Sequence, residues 1–104
     1  MNFLAKLFGL GSKIDFKQLV KDGAIIIDVR TPSEFKSGHI SGSKNMDLSG
    51  LKKNVHSLLP KDQTILTVCA SGIRSASAKS ILSSQGFENV YNAGGWRTLQ
   101  SKLN

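Results

Sequence analysis

Two runs of branched apolar residues, "AIIIDV" (24–29) and "TILTV" (64–68), most constrain what this chain can fold into. Neither alternates with polar residues as a strand with one wet face would. Both read as strands covered on both faces, the pattern of a parallel sheet lying between layers of helix. A weaker third strand reads from "NVYNA" (89–93).

Helix signals fill the gaps. Ile14, Leu19 and Val20 share a face in "IDFKQLVKDG", with Gly23 as the stop. In "TPSEFKSG", Thr31 caps, Pro32 takes the first helical position, Glu34 completes a capping box and Gly38 ends the turn. Leu51, Val55, Leu58 and Leu59 make one apolar face that stops at Pro60. Ala78, Ile81 and Leu82 point inward from "IRSASAKSILSSQG", and Trp96, Leu99 and Leu103 form the last stripe. Strands alternating with helices predict an α/β fold of three layers, a central parallel sheet flanked by helices. A length of 104 residues suits one such domain.

A single cysteine closes no internal disulfide, and a thiol that stays free belongs in a reducing compartment, so the cytoplasm is the expected location. No apolar run is long enough to span a bilayer, so no integral membrane segment is expected. The opening "MNFLAKLFGLGSK" (1–13) is interrupted by Lys6 and lacks a cleavage pattern; it reads as a short amphipathic extension preceding a domain at 14–104. The net charge of +7 favours anionic partners. The lysines are scattered, without an arginine cluster or interleaved aromatics, which argues against nucleic acid.

Cys69 falls where the "TILTV" strand ends and a helix begins, and ligand sites in open α/β sheets lie at the carboxyl ends of strands. Ala70, Ser71 and Gly72 are small, so the backbone can curl with its amide hydrogens inward, a nest for negative charge beside a helix N-terminus. Those amides, the helix dipole and Arg74 would all favour a thiolate. The plainer reading, a free cysteine as a small buried hydrophobe, ignores Gly72 and Arg74.

"DVRTPSEFKSGHISGSKNM" (28–46), "CASGIRSA" (69–76) and "GFENVYNAGGW" (86–96), in this order, resemble a single-domain rhodanese of the thiosulfate sulfurtransferase type. Asp28, Arg30, Glu34, Gly38, His39 and Ile40 occupy the places of the family's first motif. Ser43 stands where the family usually has alanine, and Asp47 where a proline often follows. The resemblance implies a rhodanese-like fold and sulfurtransfer. Cys69 would take a sulfane sulfur from a small anionic donor such as thiosulfate, or from a persulfide, and pass it to a thiol, cyanide or a sulfur-accepting protein. It implies that the backbone from Ala70 through Ser71, Gly72, Ile73 and Arg74 to Ser75 binds the persulfide and the donor, with Arg74 charging the mouth. It calls for no cofactor. A cysteine phosphatase loop needs one residue more than the four between Cys69 and Arg74, and Ser75 stands where its arginine would be. The alternative within the same fold is a non-catalytic binding or sulfur-sensing module.

Asp28 reads as a structural tie between its strand end and the next helix, whereas Arg30 is placed with the substrate-binding groups because its strand end faces the site. His39 reads as a turn-fixing residue and His56 as surface, since no second ligand sits at metal-site spacing. Trp96, after Gly94 and Gly95, reads as core or rim packing.

Overall fold

The two branched apolar runs become adjacent strands that are buried almost throughout because both of their faces are covered. The structure, a computed structural model, describes residues 13–104, and the extension predicted over 1–13 lies almost wholly outside the described residues. The elements run α1 (Phe16–Lys21), β1 (Ile25–Asp28), α2 (Pro32–Ser37), β2 (Lys44–Asn45), α3 (Leu48–Asn54), β3 (Ile65–Cys69), α4 (Ile73–Ser84), β4 (Val90–Gly95) and α5 (Trp96–Leu103). The sheet order is β2-β1-β3-β4, and every pairing is parallel.

Successive residues of a strand point to opposite faces, so each apolar run feeds two cores. Ile27 and Ile65 join Leu51 of α3, Val55 just beyond it, and Ala78 and Leu82 of α4 on one side. Ile26, Leu66 and Val68 join Phe16 and Leu99 of α1 and α5 on the other. Each fully buried aliphatic side chain stabilises the fold by about 1.5 to 3 kcal/mol relative to exposure. The three-layer α/β architecture expected from the sequence is the one observed. Among the described residues, no helix is long and apolar enough to cross a membrane.

Two helix faces differ from expectation. Asp15 caps α1 through its side chain, accepting from the Gln18 amide at 3.0 Å, so Ile14 lies ahead of the helix and is exposed, and Phe16 is buried instead. Leu58, expected inward, is 59% exposed. The α-helix ends at Asn54 and gives way to a 3-10 turn over Val55–Ser57. That tighter winding advances each residue further round the axis and carries Leu58 past the core face. The capping box of α2 forms as expected, with Thr31 and Glu34 bonded reciprocally.

Candidate active site

The carboxyl ends of the parallel strands gather the polar residues of this otherwise apolar sheet. Cys69 closes β3, and its residue is 1% exposed. The chain then turns through Gly72 at φ +105°, the residue that caps α4. This left-handed backbone, which favours glycine, brings the Gly72 amide to 3.0 Å from the Cys69 sulfur, and the Ser75 amide follows at 3.3 Å. Burial pushes the thiol up in pKa, but the hydroxyl and amide of Ser75, with the amides of Gly72 and Ser71, outweigh it and hold Cys69 below the ordinary thiol value.

The loop is pinned from beneath and from the side. Thr67, fully buried in β3, donates its hydroxyl to the Ser75 carbonyl at 2.9 Å and so fastens the first turn of α4 to the strand. Gly95 lies so close that a Cβ there would stand 3.0 Å from the Ala70 carbonyl oxygen. The register of β4 against β3 shifts between Thr67 and Val68: Thr67 faces Asn92, but Val68 faces Gly94. The extra residue, Ala93, is a bulge, and bulges re-aim neighbouring side chains. Asn92 is thereby set on the loop, with its Oδ1 2.6 Å from the Ser75 hydroxyl and its Nδ2 donating to the Gly72 carbonyl at 3.3 Å.

The arginines are less free than the sequence suggested. Arg30, expected among the substrate-binding groups, wraps Asp28 with its guanidinium, Nη2 at 2.7 Å and Nε at 2.9 Å, and reaches the carbonyls of Glu34 and Gly38 at 3.2 and 2.7 Å. Arg30 is 4% exposed, Asp28 is fully buried, and the guanidinium lies 4.8 Å from the centre of the Trp96 ring. With its donors occupied inward, Arg30 ties β1 to α2, the tie expected of Asp28. Arg74 forms a two-pronged pair with Glu34 at 2.7 and 3.0 Å, bracing α4 against α2. The Arg74 guanidinium, with the Thr31 amide, holds the Glu34 carboxyl down at about 2.

Of the remaining expected loop residues, Ala70 and Ser71 lie in the turn and Ile73 opens α4. Ile73 is 77% exposed, and Gly72 and Ser75 make the short backbone hydrogen bonds to the sulfur. His39 donates its Nδ1–H to the Phe35 carbonyl, 2.8 Å away, and stacks on the Phe35 ring, as a turn-fixing residue would. Trp96 is partly buried against the α1–α5 side of the sheet. Sequence reasoning missed Asn92; the only hint was the adjacent Gly94 and Gly95, since glycine in a strand often marks a bulge.

Comparison with known proteins fits this geometry. The profile of the Rhodanese-like domain matches residues 12–102. The chain belongs to the rhodanese-like family. This rhodanese domain is 36% identical over 74 residues to the thiosulfate sulfurtransferase PspE of Escherichia coli, covering 70% of this chain and 71% of that protein. It is 38% identical over 79 residues to the thiosulfate sulfurtransferase GlpE of Pseudoalteromonas translucida, covering 74% and 72%. Among solved structures, a rhodanese with anions from E. coli superposes at a TM-score of 0.68 with 34% identity, covering 72% of this chain and 89% of that one. The human single-domain sulfurtransferase TSTD1 shares the fold at a TM-score of 0.74, covering 86% and 93%, with 24% identity. With its loop cysteine in place, this chain is a rhodanese domain of the sulfurtransferase type.

Proposed function

We propose that this domain transfers a sulfane sulfur from thiosulfate or a persulfide donor to a thiol or cyanide acceptor, carrying it as a persulfide on Cys69. The observation that carries this reading is the Cys69 sulfur at the floor of a loop, with the Gly72 and Ser75 amides aimed at it from 3.0 and 3.3 Å. Donors fixed in place before reaction need no reorganisation as negative charge moves onto or off the sulfur.

In the first half-reaction the Cys69 thiolate attacks the outer sulfur of thiosulfate. The bond to the inner sulfur breaks, and sulfite leaves with its electron pair. The second half-reaction mirrors it: an acceptor thiolate or cyanide attacks the outer sulfur of the persulfide, and the Cys69 thiolate leaves. The small side chains of Ala70 and Ser71, and Gly72 with none, suit a loop that holds one additional sulfur atom. The net charge of +7 draws anionic donors toward the mouth. Arg74 contributes by bracing the mouth through Glu34, since its charge is already shared. A lone free thiol is suited to a reducing compartment, and we assign the domain to the cytoplasm, a placement that cell fractionation tests.

Thiosulfate-treated protein should gain the mass of one sulfur atom, and Cys69→Ser should lose both that adduct and turnover. Absence of the adduct removes thiosulfate as donor. Absence with polysulfide and with cysteine persulfide as well removes the sulfur-carrying role.

A further inference from the structure

The Ser75 hydroxyl stands inside the loop with one proton and three acceptors in reach: the Gly72 carbonyl at 3.0 Å, Asn92 Oδ1 at 2.6 Å and the Cys69 sulfur at 3.5 Å. The surrounding donors decide where that proton points. The Gly72 carbonyl already receives the Ala76 amide at 3.1 Å and Asn92 Nδ2 at 3.3 Å. The Asn92 amide has only one workable orientation, because the Gly94 amide donates to its Oδ1 at 2.9 Å while its Nδ2 faces a carbonyl. Oδ1 is therefore an acceptor, and at 2.6 Å it takes the hydroxyl proton. The Cys69 thiol is left to donate its own proton to the Ser75 oxygen.

We propose that Asn92 is a positioning residue that keeps the Ser75 hydroxyl proton turned away from the Cys69 sulfur, so that a thiolate gains this donor only when the Ser75–Asn92 hydrogen bond breaks. The inference rests on Cys69 being the sulfur carrier and gives that residue a latch. The resting thiol is held by a hydroxyl that accepts from it; the attacking thiolate is held by the same hydroxyl after it has turned. On ionisation the thiol proton leaves to a solvent base at the loop mouth. Ser75 keeps its own proton and re-aims it from Oδ1 to sulfur, and no covalent bond other than S–H changes.

The latch depends on the β4 bulge, which sets Asn92 and the Gly94 amide side by side at the loop. The charged groups acting in this region are Arg74 of α4, its partner Glu34 of α2, and Asp28 of β1. On the cysteine's own side of the sheet, Ile27, Val29, Leu51 and Ala78 are apolar, and Tyr91 of β4 packs on the opposite side. Asn92 carries no charge, so its removal changes hydrogen bonding alone.

The test is the pH dependence of Cys69 alkylation by iodoacetamide in the full chain. Asn92→Ala, and Asn92→Val as a variant suited to a strand, should each move the midpoint to lower pH and raise the thiolate population below it by about three- to tenfold. Ser75→Ala should move the midpoint up. In the Ser75→Ala background the Asn92 substitutions should have no further effect, because the hydroxyl they release is gone. A wild-type midpoint in both Asn92 variants, or an equal shift with and without Ser75, overturns the latch. Alkylation reads the thiol itself, so this result is independent of whether any donor loads the sulfur.

Discussion

Gly72→Ala tests how the loop holds its sulfur. The residue sits at φ +105°, where a side chain costs about 1 to 3 kcal/mol. Space is not the obstacle, since the added Cβ would meet Gly94 Cα at 3.4 Å, an ordinary contact. The loop has two responses. If it keeps its shape, the cost appears as stability, and the melting temperature of a domain this size falls by roughly 5 to 20 °C. If it relaxes to negative φ, the Gly72 amide swings away from the sulfur it now reaches at 3.0 Å. A hydrogen bond to a charged group is worth about 1.5 to 3 kcal/mol, so the alkylation midpoint of Cys69 would then rise by about 1 to 2 pH units. Gly23 supplies the control: it has φ +107°, open space around it, and a place before β1 at the opposite end of the sheet. Gly23→Ala should lose stability and keep the thiol midpoint. If Gly72→Ala matches wild type in both melting and alkylation, the account of the loop is wrong.

Arg30→Ala should destabilise the fold by about 3 to 5 kcal/mol in urea unfolding, because it strands the fully buried Asp28 carboxylate, while the alkylation midpoint of the folded protein stays put. Unchanged stability with weakened donor binding would return Arg30 to the substrate site. Glu34→Gln should lower the melting temperature above pH 4.5, where the native pair is intact. Since the folded carboxyl titrates near 2, below its ordinary 4.5, the Arg74 pair's contribution fades as pH falls between those values, and the two proteins should converge by about pH 2. A difference that grows toward low pH would contradict this sign.

The layers of the fold were legible because burial on both faces leaves a mark that needs no partner to read: Ile25, Ile26 and Ile27 in sequence, then Ile65 and Leu66. The capping box at Thr31 and Glu34 was equally local. Leu58 was misjudged because a change of helical pitch leaves no sign in apolar spacing. Cys69 and Gly72 declared themselves through chain order, strand then glycine then helix. Arg30 did not, because a guanidinium at a strand end has the same sequence signature whether it faces a donor or turns back on Asp28. Asn92 was hidden for a different reason: its position at the loop depends on a register shift between two strands more than twenty residues apart.

Trp96 has two guanidinium groups over its ring, Arg30 at 4.8 Å and Arg97 at 5.0 Å from the ring centre, and its edge passes 3.2 Å from where a Gly38 side chain would begin. It is also the chain's one tryptophan. The domain therefore carries a native fluorophore at the seam between α5 and the turn after α2. Its emission reports directly on the Asp28–Arg30 knot, so the unfolding of every variant named above can be followed optically without a label near the reactive sulfur.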